Sequence, residues 1–212
     1  MTIIFATGNS CKLREASEIL GEGFELVTPA AKGIVEEIPE TGTTLRANSL
    51  QKAQYIFDHT GGADCFADDT GLEVDILGGA PGVYSARYAG PEKSFSANMD
   101  KLLREMALHE YEASVAREYG LKTPHATRRA RFKTVITLII GGEKHYFEGT
   151  MEGRISYEKA GNGGFGYDPV FIADEYPDVT VAELTEEQKN AISHRGKALR
   201  AMAAWLQEHQ SR

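Results

Sequence analysis

The sequence predicts an α/β fold whose sheet includes an antiparallel portion. An apolar run at residues 2–6 is followed by a helical pattern that begins at Ser10, which is the strand-then-helix order of this class. Later in the chain, the β-branched run 132–140 and the segment 145–149 flank Gly141-Gly142, a pair typical of a hairpin turn. Because no crossover helix separates these two runs, we expect them to be antiparallel neighbours.

Composition limits the classes of function. The 212 residues include 31 acidic and 23 basic side chains, and the formal net charge of -8 disfavours a protein that coats nucleic acid. The apolar run at residues 1–6 has no basic flank and is too short for a signal peptide or a membrane span. Two cysteines cannot form a disulfide framework. We therefore expect a cytoplasmic protein with no nucleic-acid or membrane partner and, without a linker, a single domain over residues 1–212.

The turn after the first strand, Thr7-Gly8-Asn9, leads directly into the first helix. Free backbone N–H groups at a helix start favour an anion, and Lys12 adds a full positive charge there. The pattern is neither a P-loop nor a dinucleotide-binding glycine motif. Many turns of this kind hold no ligand, so the segment alone indicates a phosphate site only weakly.

An acidic loop at residues 36–42 precedes a second helix. Its apolar or small positions recur at helical spacing: Leu45, Ser49, Ala53, Ile56 and Phe57. Acidic residues ahead of a helix are usually surface groups that suit the helix dipole. If the loop folds back, Glu40 could supply an oxygen to a metal, and Asn48 and Lys52 could reach a phosphate.

The segment Phe66-Ala67-Asp68-Asp69-Thr70-Gly71 reads as a strand that ends at two adjacent carboxylates before a Thr-Gly turn. Crowded carboxylates repel each other unless a cation or a proton joins them, which points to Mg²⁺ held by oxygen ligands. The alternative is a solvated Asp-Asp turn.

The second half of the chain holds a long helix, a glycine-rich loop and a last helix. Residues 95–119 carry a helical apolar stripe, and the charged segment 107–130 is interpreted as a peripheral excursion. In the loop 161–169, Phe165 and Tyr167 could clamp a flat base, or they could simply anchor a hairpin. Thr185 starts the last helix, whose middle carries Lys189, His194 and Arg195. A lone His-Arg pair on a helix is more often a surface feature than a site.

These motifs, in this order, closely resemble the inosine triphosphate pyrophosphatase (Ham1-like) family. The resemblance covers about residues 2–206 and thins at 107–130. One departure is Ala47, where family members often carry Glu. The resemblance implies a two-lobed α/β fold around a long mixed β-sheet, an active-site cleft between the lobes, and a homodimer. It also implies hydrolysis of ITP, dITP and XTP to the monophosphate and pyrophosphate with Mg²⁺.

The resemblance further implies a role for each matching position. Glu40 and Asp69 would bind the metal, with Asp68 assisting, and Asp69 would also be the general base. The remaining positions would bind the purine nucleoside triphosphate: Thr7, Gly8, Asn9, Ser10, Cys11, Lys12, Thr70, Phe165, Gly166, Tyr167, Asp168, Lys189, His194 and Arg195.

General chemistry agrees with this assignment. A donor-only group such as Arg195 satisfies a purine 6-keto oxygen but meets the 6-amino group of adenine donor to donor. This explains the rejection of adenine and leaves guanine, which has the same 6-keto group, unexplained. Two alternatives differ in class or substrate: a nucleotide sensor without turnover, which would not need Glu40 and Asp69, and a Maf-like pyrimidine nucleotide pyrophosphatase, against which the segments around Phe165 and His194 argue.

Overall fold

The computed structural model describes residues 1–36, 38–121 and 127–210, with the side chains of Cys11 and Gln210 outside that description. The strands are β1 (Thr2–Phe5), β2 (Glu25–Val27), β3 (Cys65–Val74), β4 (Pro81–Gly82), β5 (Arg129–Ile140), β6 (Glu143–Ile155) and β7 (Phe171–Ala173). The α-helices are α1 (Ser10–Leu20), α2 (Leu45–His59), α3 (Phe95–Glu118), α4 (Glu186–Ile192) and α5 (His194–Gln210). No helix in the described part of the chain combines the length and the apolar composition that a membrane crossing needs.

One mixed sheet confirms the predicted α/β class. Its strand order is β2-β1-β3-β5-β6-β7, with β4 paired to β3. Strand β1 is parallel to both β2 and β3, whereas β3 and β4, and β6 and β7, are antiparallel. The hairpin between β5 and β6 turns at Gly141 and Gly142, both of which have positive φ as two-residue hairpin turns require.

The chain forms two compact units. Unit 1 comprises residues 1–70, 134–150 and 193–212, and unit 2 comprises residues 71–133 and 151–192. Strands β3, β5 and β6 therefore each contribute residues to both units.

Within the described part of unit 1 there are two apolar cores, because successive residues of a strand point to opposite faces of the sheet. Ile3, Phe5 and Phe66 lie in the core that α1 and α5 cover. Ile4 and Ala67 lie in the other core, with Ala53 and Ile56 of α2. This alternation decides which helix each later side chain of β3 meets.

The described residues of unit 2 form one apolar core, in which Leu102 and Met106 of α3 pack with Phe171 of β7. The helix predicted over residues 95–119 is confirmed, and Met106 is fully buried. The described residues of 107–130 are largely peripheral as predicted, since Leu108 and Tyr111 are 56% and 68% exposed. Residues 107–118 continue α3, and Arg128 donates to Glu110 and to the Ile155 carbonyl oxygen. Residues 122–126 lie outside the described part of the chain.

Two expectations about element ends are corrected. Strand β3 does not end at the two aspartates but runs through them, and Thr70-Gly71 is not a turn. The last helix is two helices, α4 and α5, separated at Ser193. The Ser193 hydroxyl accepts from the Gly196 N–H at 2.9 Å and so begins a new helix, which places His194 and Arg195 in the first turn of α5 and not in mid-helix.

Candidate active site

Asp68 and Asp69 lie on opposite faces of β3. Asp68 follows Phe66 on the face covered by α1 and α5, and Asp69 follows Ala67 on the face covered by α2. The two carboxylates therefore have different hydrogen-bond partners, and a metal that joins them stays a prediction.

Asp68 is buried among cations. Lys12 Nζ of α1 lies 2.9 Å from both carboxylate oxygens, and Arg195 Nε of α5 donates to Oδ2 at 3.0 Å. Arg195 also donates to Glu15 of α1 at 2.9 Å, so the guanidinium joins two carboxylates. These bonds hold the starts of α1 and α5 on the same residue of the sheet, and the assistance of Asp68 to a metal stays a prediction.

The pKa values of this group follow from burial and charge. Burial alone would raise the pKa of Asp68, but the positive charges of Lys12 and Arg195 outweigh it and hold the pKa of Asp68 well below its usual range. Burial lowers the pKa of Lys12, and Asp68 opposes that effect. Asp68 is therefore an ionised structural carboxylate.

The start of α1 has the geometry that the sequence indicates for an anion site. The Thr7 hydroxyl accepts from the Asn9 N–H at 3.1 Å, and the Asn9 side-chain oxygen accepts from the Lys12 N–H at 3.2 Å. Asn9 is thus the helix cap. Asn9 and Ser10 are exposed. An added Cβ on Gly8 would meet no atom within 4 Å, so the turn has open space above it.

On the other face, Asp69 and Glu40 share one cation. Lys52 Nζ of α2 lies 2.5 Å from Glu40 Oε1 and 3.2 Å from Asp69 Oδ1. Burial works against the charge of Lys52, but the surrounding carboxylates, Asp69 first, outweigh it and raise the pKa of Lys52. The two residues predicted to hold a metal therefore do converge, on an ammonium group.

Asn48 fixes this convergence. Its side-chain oxygen accepts from the Gly42 N–H at 2.7 Å, and its Nδ2 donates to Asp69 Oδ2 at 3.1 Å. A Cβ on Gly42 would lie 2.7 Å from the Asn48 oxygen and 2.8 Å from the Ala47 Cβ, so the loop approaches α2 as closely as a glycine allows. Asn48 thereby ties the Glu40 loop to the Asp69 carboxylate.

The pKa of Asp69 is raised. Burial raises its pKa, the charge of Lys52 opposes that effect, and the neighbouring Glu40 adds to it, with a net rise above the ordinary aspartate value. A raised pKa makes a carboxylate a better proton acceptor near neutral pH.

The donor chemistry at Glu40 and Asp69 fits Mg²⁺. Mg²⁺ binds oxygen, commonly through one or two carboxylates together with waters and substrate phosphates. The described residues contain no group of three or more His, Cys, Asp or Glu side chains arranged around a metal position. Glu40 and Asp69, which both contact Lys52, suit an ion whose remaining ligands come from the substrate.

A second group of predicted residues lies in unit 2, around Asp168. Asp168 is buried, and its Oδ2 accepts from the Phe165 N–H at 2.9 Å and from Lys189 Nζ at 2.6 Å. Lys189 Nζ also lies 4.7 Å from the centre of the Phe165 ring, a cation–π distance. Gly164 has a positive φ, and a Cβ there would lie 2.2 Å from Asp168 Oδ2. The glycine-rich loop is therefore ordered by Asp168 itself.

The two aromatic residues of this loop have different environments. The Phe165 ring is 45% exposed, whereas Tyr167 is 4% exposed and lies in the core of unit 2. The Tyr167 hydroxyl donates to the Ser85 carbonyl oxygen at 2.9 Å. The clamp predicted from both rings is therefore wrong for Tyr167, and Phe165 is the member of the pair with an exposed ring. Gly166 between them has a positive φ.

His194 in unit 1 is held by hydroxyl groups. The Thr134 Oγ1 of β5 lies 2.6 Å from His194 Nδ1 and 2.7 Å from the Thr70 Oγ1 of β3. Thr70, expected as a substrate contact, is thus linked to His194 through a buried threonine.

The sequence of this chain matches the Ham1 family over residues 3–205. The chain belongs to the Ham1 family. It is 46% identical to the dITP/XTP pyrophosphatase of Porphyromonas gingivalis, with 96% of each chain covered, and 43% identical to that of Flavobacterium psychrophilum, with 95% of this chain and 97% of the relative covered. The solved structure of a HAM1 protein from Coxiella burnetii superposes with a TM-score of 0.86 at 34% identity, with 98% of this chain and 99% of that chain covered.

Three residues of this Ham1-family chain have site contacts that sequence reasoning did not predict. Asn48, which the sequence placed within possible reach of a phosphate, bonds to Asp69. Glu15, which pairs with Arg195, and Thr134, which bonds to His194, were not singled out. Glu15 has a weak signal, since it lies one helical turn after Lys12 and faces the same side. Thr134 has none, because a threonine in a β-branched run is an ordinary strand residue.

Proposed function

We propose that this chain is a pyrophosphohydrolase of deaminated purine nucleoside triphosphates, which cleaves ITP, dITP and XTP to the monophosphate and pyrophosphate. Curated relatives that cover nearly its whole length are named dITP/XTP pyrophosphatases. The observation that carries the proposal is the convergence of Glu40 and Asp69 on Lys52, whose charge also acts on Lys12 in the first turn of α1. A sensor without turnover would have no use for a buried carboxylate with a raised pKa.

The proposed binding roles follow the two groups of residues. In unit 1, the turn from Thr7 to Lys12 binds the phosphates through N–H groups and a lysine, and Arg195 and His194 donate to the purine. In unit 2, the exposed ring of Phe165 stacks on the base, and Lys189, oriented by Asp168, supplies a further cation. The side chain of Cys11 lies outside the described part of the chain, so its contact with substrate stays a prediction.

The proposed chemistry assigns the base to Asp69. A water positioned by Asp69 attacks the α-phosphorus, its proton passes to the carboxylate, and the bond from that phosphorus to the oxygen bridging to the β-phosphate breaks. The leaving group is pyrophosphate. Glu40 and Asp69 would hold Mg²⁺, which when bound neutralises charge on the phosphate oxygens. Lys52 and Lys12 add fixed positive charge beside the same oxygens. One catalytic domain over residues 1–212, a homodimer and a cytoplasmic location are further proposals that the family resemblance supports.

Product analysis tests this function. The protein is incubated with Mg²⁺ and separately with ITP, dITP, XTP, GTP, ATP, dUTP and dTTP, and pyrophosphate and orthophosphate are quantified. We expect pyrophosphate from the first three substrates at rates at least tenfold above the rate for ATP, because one unmatched donor contact costs about 1–3 kcal/mol. Orthophosphate as the first product, or a preference for dUTP and dTTP, would overturn the proposal, and binding without turnover would favour a sensor.

A further inference from the structure

The ring of His194 is attached to a short chain of hydroxyl groups inside unit 1. Thr70, Thr134 and His194 are linked Oγ1 to Oγ1 at 2.7 Å and Oγ1 to Nδ1 at 2.6 Å. Thr134 is 0% exposed, so no solvent molecule competes for its hydroxyl. All three residues lie on the face of the sheet that α5 covers, since Ile136 and Leu138, in step with Thr134 along β5, belong to that core.

The backbone at the start of α5 is packed closely against β6. A Cβ on Gly149 of β6 would lie 2.0 Å from the His194 carbonyl oxygen and 2.7 Å from the Ala198 nitrogen, so α5 packs directly on the strand backbone. Lys197 Nζ donates to the Thr150 carbonyl oxygen at 2.9 Å and closes the same contact. The hydrogen bond at Nδ1 therefore acts on a ring whose helix start is packed against β6.

The protons of these three side chains allow two hydrogen-bonding patterns. Thr134 has one hydroxyl proton and two neighbours, so it donates to one of them and accepts from the other. If Thr70 donates to Thr134, Thr134 donates to Nδ1 and the His194 proton resides on Nε2. If Nδ1 carries the proton, Thr134 must donate to Thr70. The tautomer of His194 is thereby coupled to the orientation of the Thr70 hydroxyl.

We propose that Thr134 is a positioning residue that holds His194 as the Nε2–H tautomer, with Nε2 as a fixed hydrogen-bond donor toward the nucleotide. The choice of this state rests on the proposed function, because the 6-keto oxygen of hypoxanthine and xanthine is an acceptor and needs a donor. The 6-amino group of adenine would face that donor unfavourably. Thr134, which does not touch substrate, therefore contributes to purine selection through His194.

The chain offers a matched control for Thr134. Thr137 lies on the same strand, is also 0% exposed, and shares a hydrogen bond of 2.6 Å with the Ser49 hydroxyl on the opposite face of the sheet. Thr137→Val removes a buried hydroxyl pair without touching His194. Thr134→Val removes the relay at nearly constant volume, and Thr134→Ser retains the hydroxyl.

The direct measurement is ¹⁵N NMR of the imidazole nitrogens in nucleotide-free protein at about pH 8.5, well above the ordinary histidine pKa of about 6.5. The His194 signals are assigned with a His194→Gln variant. We expect one protonated Nε2 and one unprotonated, acceptor-type Nδ1 in the wild type, in Thr134→Ser and in Thr137→Val. In Thr134→Val the two nitrogen shifts should move toward each other, as exchange between tautomers averages them.

Kinetics provide the second readout. For ITP, kcat/KM should fall about fivefold to tenfold in Thr134→Val, the size of one neutral hydrogen bond, and the loss should fall on KM because base recognition is already present in the ground state. Thr134→Ser should retain the wild-type kcat/KM, and Thr137→Val should leave kcat/KM unchanged.

Three results would overturn the positioning role: a wild-type His194 protonated at Nδ1, unchanged shifts in Thr134→Val, or equal kinetic losses in Thr134→Val and Thr137→Val. A wild-type protein that fixes the Nε2–H tautomer but hydrolyses no purine triphosphate would refute the proposed function and leave the positioning of His194 by Thr134 intact.

Discussion

Asp68 and Asp69 are consecutive residues of β3, yet their carboxylates bind cations from different helices. Asp68 accepts from Lys12 of α1 and Arg195 of α5, and Asp69 accepts from Lys52 of α2. The alternation of a strand separates them, so one aspartate joins two helix starts while the other faces the acidic loop. The two residues should therefore respond differently to the same substitution.

Asp68→Asn should reduce stability. The change leaves the buried charges of Lys12 and Arg195 without their carboxylate partner, and breaking such a pair costs about 3–5 kcal/mol. Because the pKa of Asp68 is lowered in the folded state, its contribution is fully present above the unfolded aspartate value of about 3.9 and decreases as the pH falls below it. Urea denaturation at a series of pH values should show a gap between wild type and variant that is constant near neutrality and narrows in acid.

Asp174→Asn is the matched control for this measurement. Asp174 also pairs with an arginine, Arg129, at 2.8 Å, but both side chains are nearly half exposed. An exposed pair contributes about 0–1 kcal/mol, so the control should unfold close to wild type. Equal losses in the two variants would contradict the structural role of Asp68.

Asp69→Asn should abolish turnover while nucleotide still binds. The amide keeps the shape of the side chain but cannot take a proton from water, and loss of a general base typically costs about 10²–10⁴-fold in rate. The checks are kcat for ITP and the affinity for ITP by calorimetry. Asp75→Asn, at the end of β3 beside Arg131, should retain the wild-type rate. A near-normal kcat in Asp69→Asn would remove Asp69 from the role of base.

Lys52→Met should raise the pKa of Asp69 still further. In the folded protein the positive charge of Lys52 lowers that pKa, in opposition to burial and to Glu40, so its removal leaves the two raising effects unopposed. Carboxyl-carbon NMR titration of metal-free protein measures the change. Lys32→Met, at an exposed lysine, should leave the Asp69 titration where it is. A lower pKa in Lys52→Met would show that the ammonium group does not face Asp69 in solution.

Gly42→Ala should loosen the Glu40 loop. The added Cβ would overlap the Asn48 side chain and the Ala47 Cβ, and such overpacking costs about 1–3 kcal/mol, or about 2–4 °C in Tm per kcal/mol. Mg²⁺ should also protect the variant less against thermal unfolding than it protects wild type. Gly23→Ala, where a Cβ meets no atom within 4 Å, tests the same change without the overlap. Equal Tm values for the two variants would argue against the close approach.

Periodicity in the sequence predicted the elements well. The helices at residues 10, 45 and 95 and the hairpin at Gly141-Gly142 lie where apolar spacing and turn residues placed them. These features depend on residues that are close in sequence, so the sequence alone predicts them. The end of β3 was mispredicted because adjacent aspartates favour a turn in the absence of partners, and their partners come from α1, α2 and α5.

The candidate site shows the same limit. Glu40 and Asp69 could be paired from the sequence through a family resemblance, but the group between them, Lys52, depends on how α2 packs on β3. The different burial of Phe165 and Tyr167 also depends on tertiary packing, since both are aromatic residues in one glycine-rich loop.

Cys65 should be unreactive in the folded protein. It lies buried at the start of β3, its Sγ donates to the Ala53 carbonyl oxygen at 3.2 Å, and burial, assisted by Asp64, raises the pKa of the thiol to about 12. At pH 8 the thiolate fraction would be about one part in 10⁴, and the thiolate is the reactive form. In a Cys11→Ser variant, where Cys65 is the remaining cysteine, a thiol reagent should label the native protein at the rate of unfolding and should label it at once in urea. Rapid labelling of the native variant would mean that β3 opens at its first residue. Asp68 and Asp69, three and four residues further along, would then not be held in the buried arrangement on which the proposed chemistry depends.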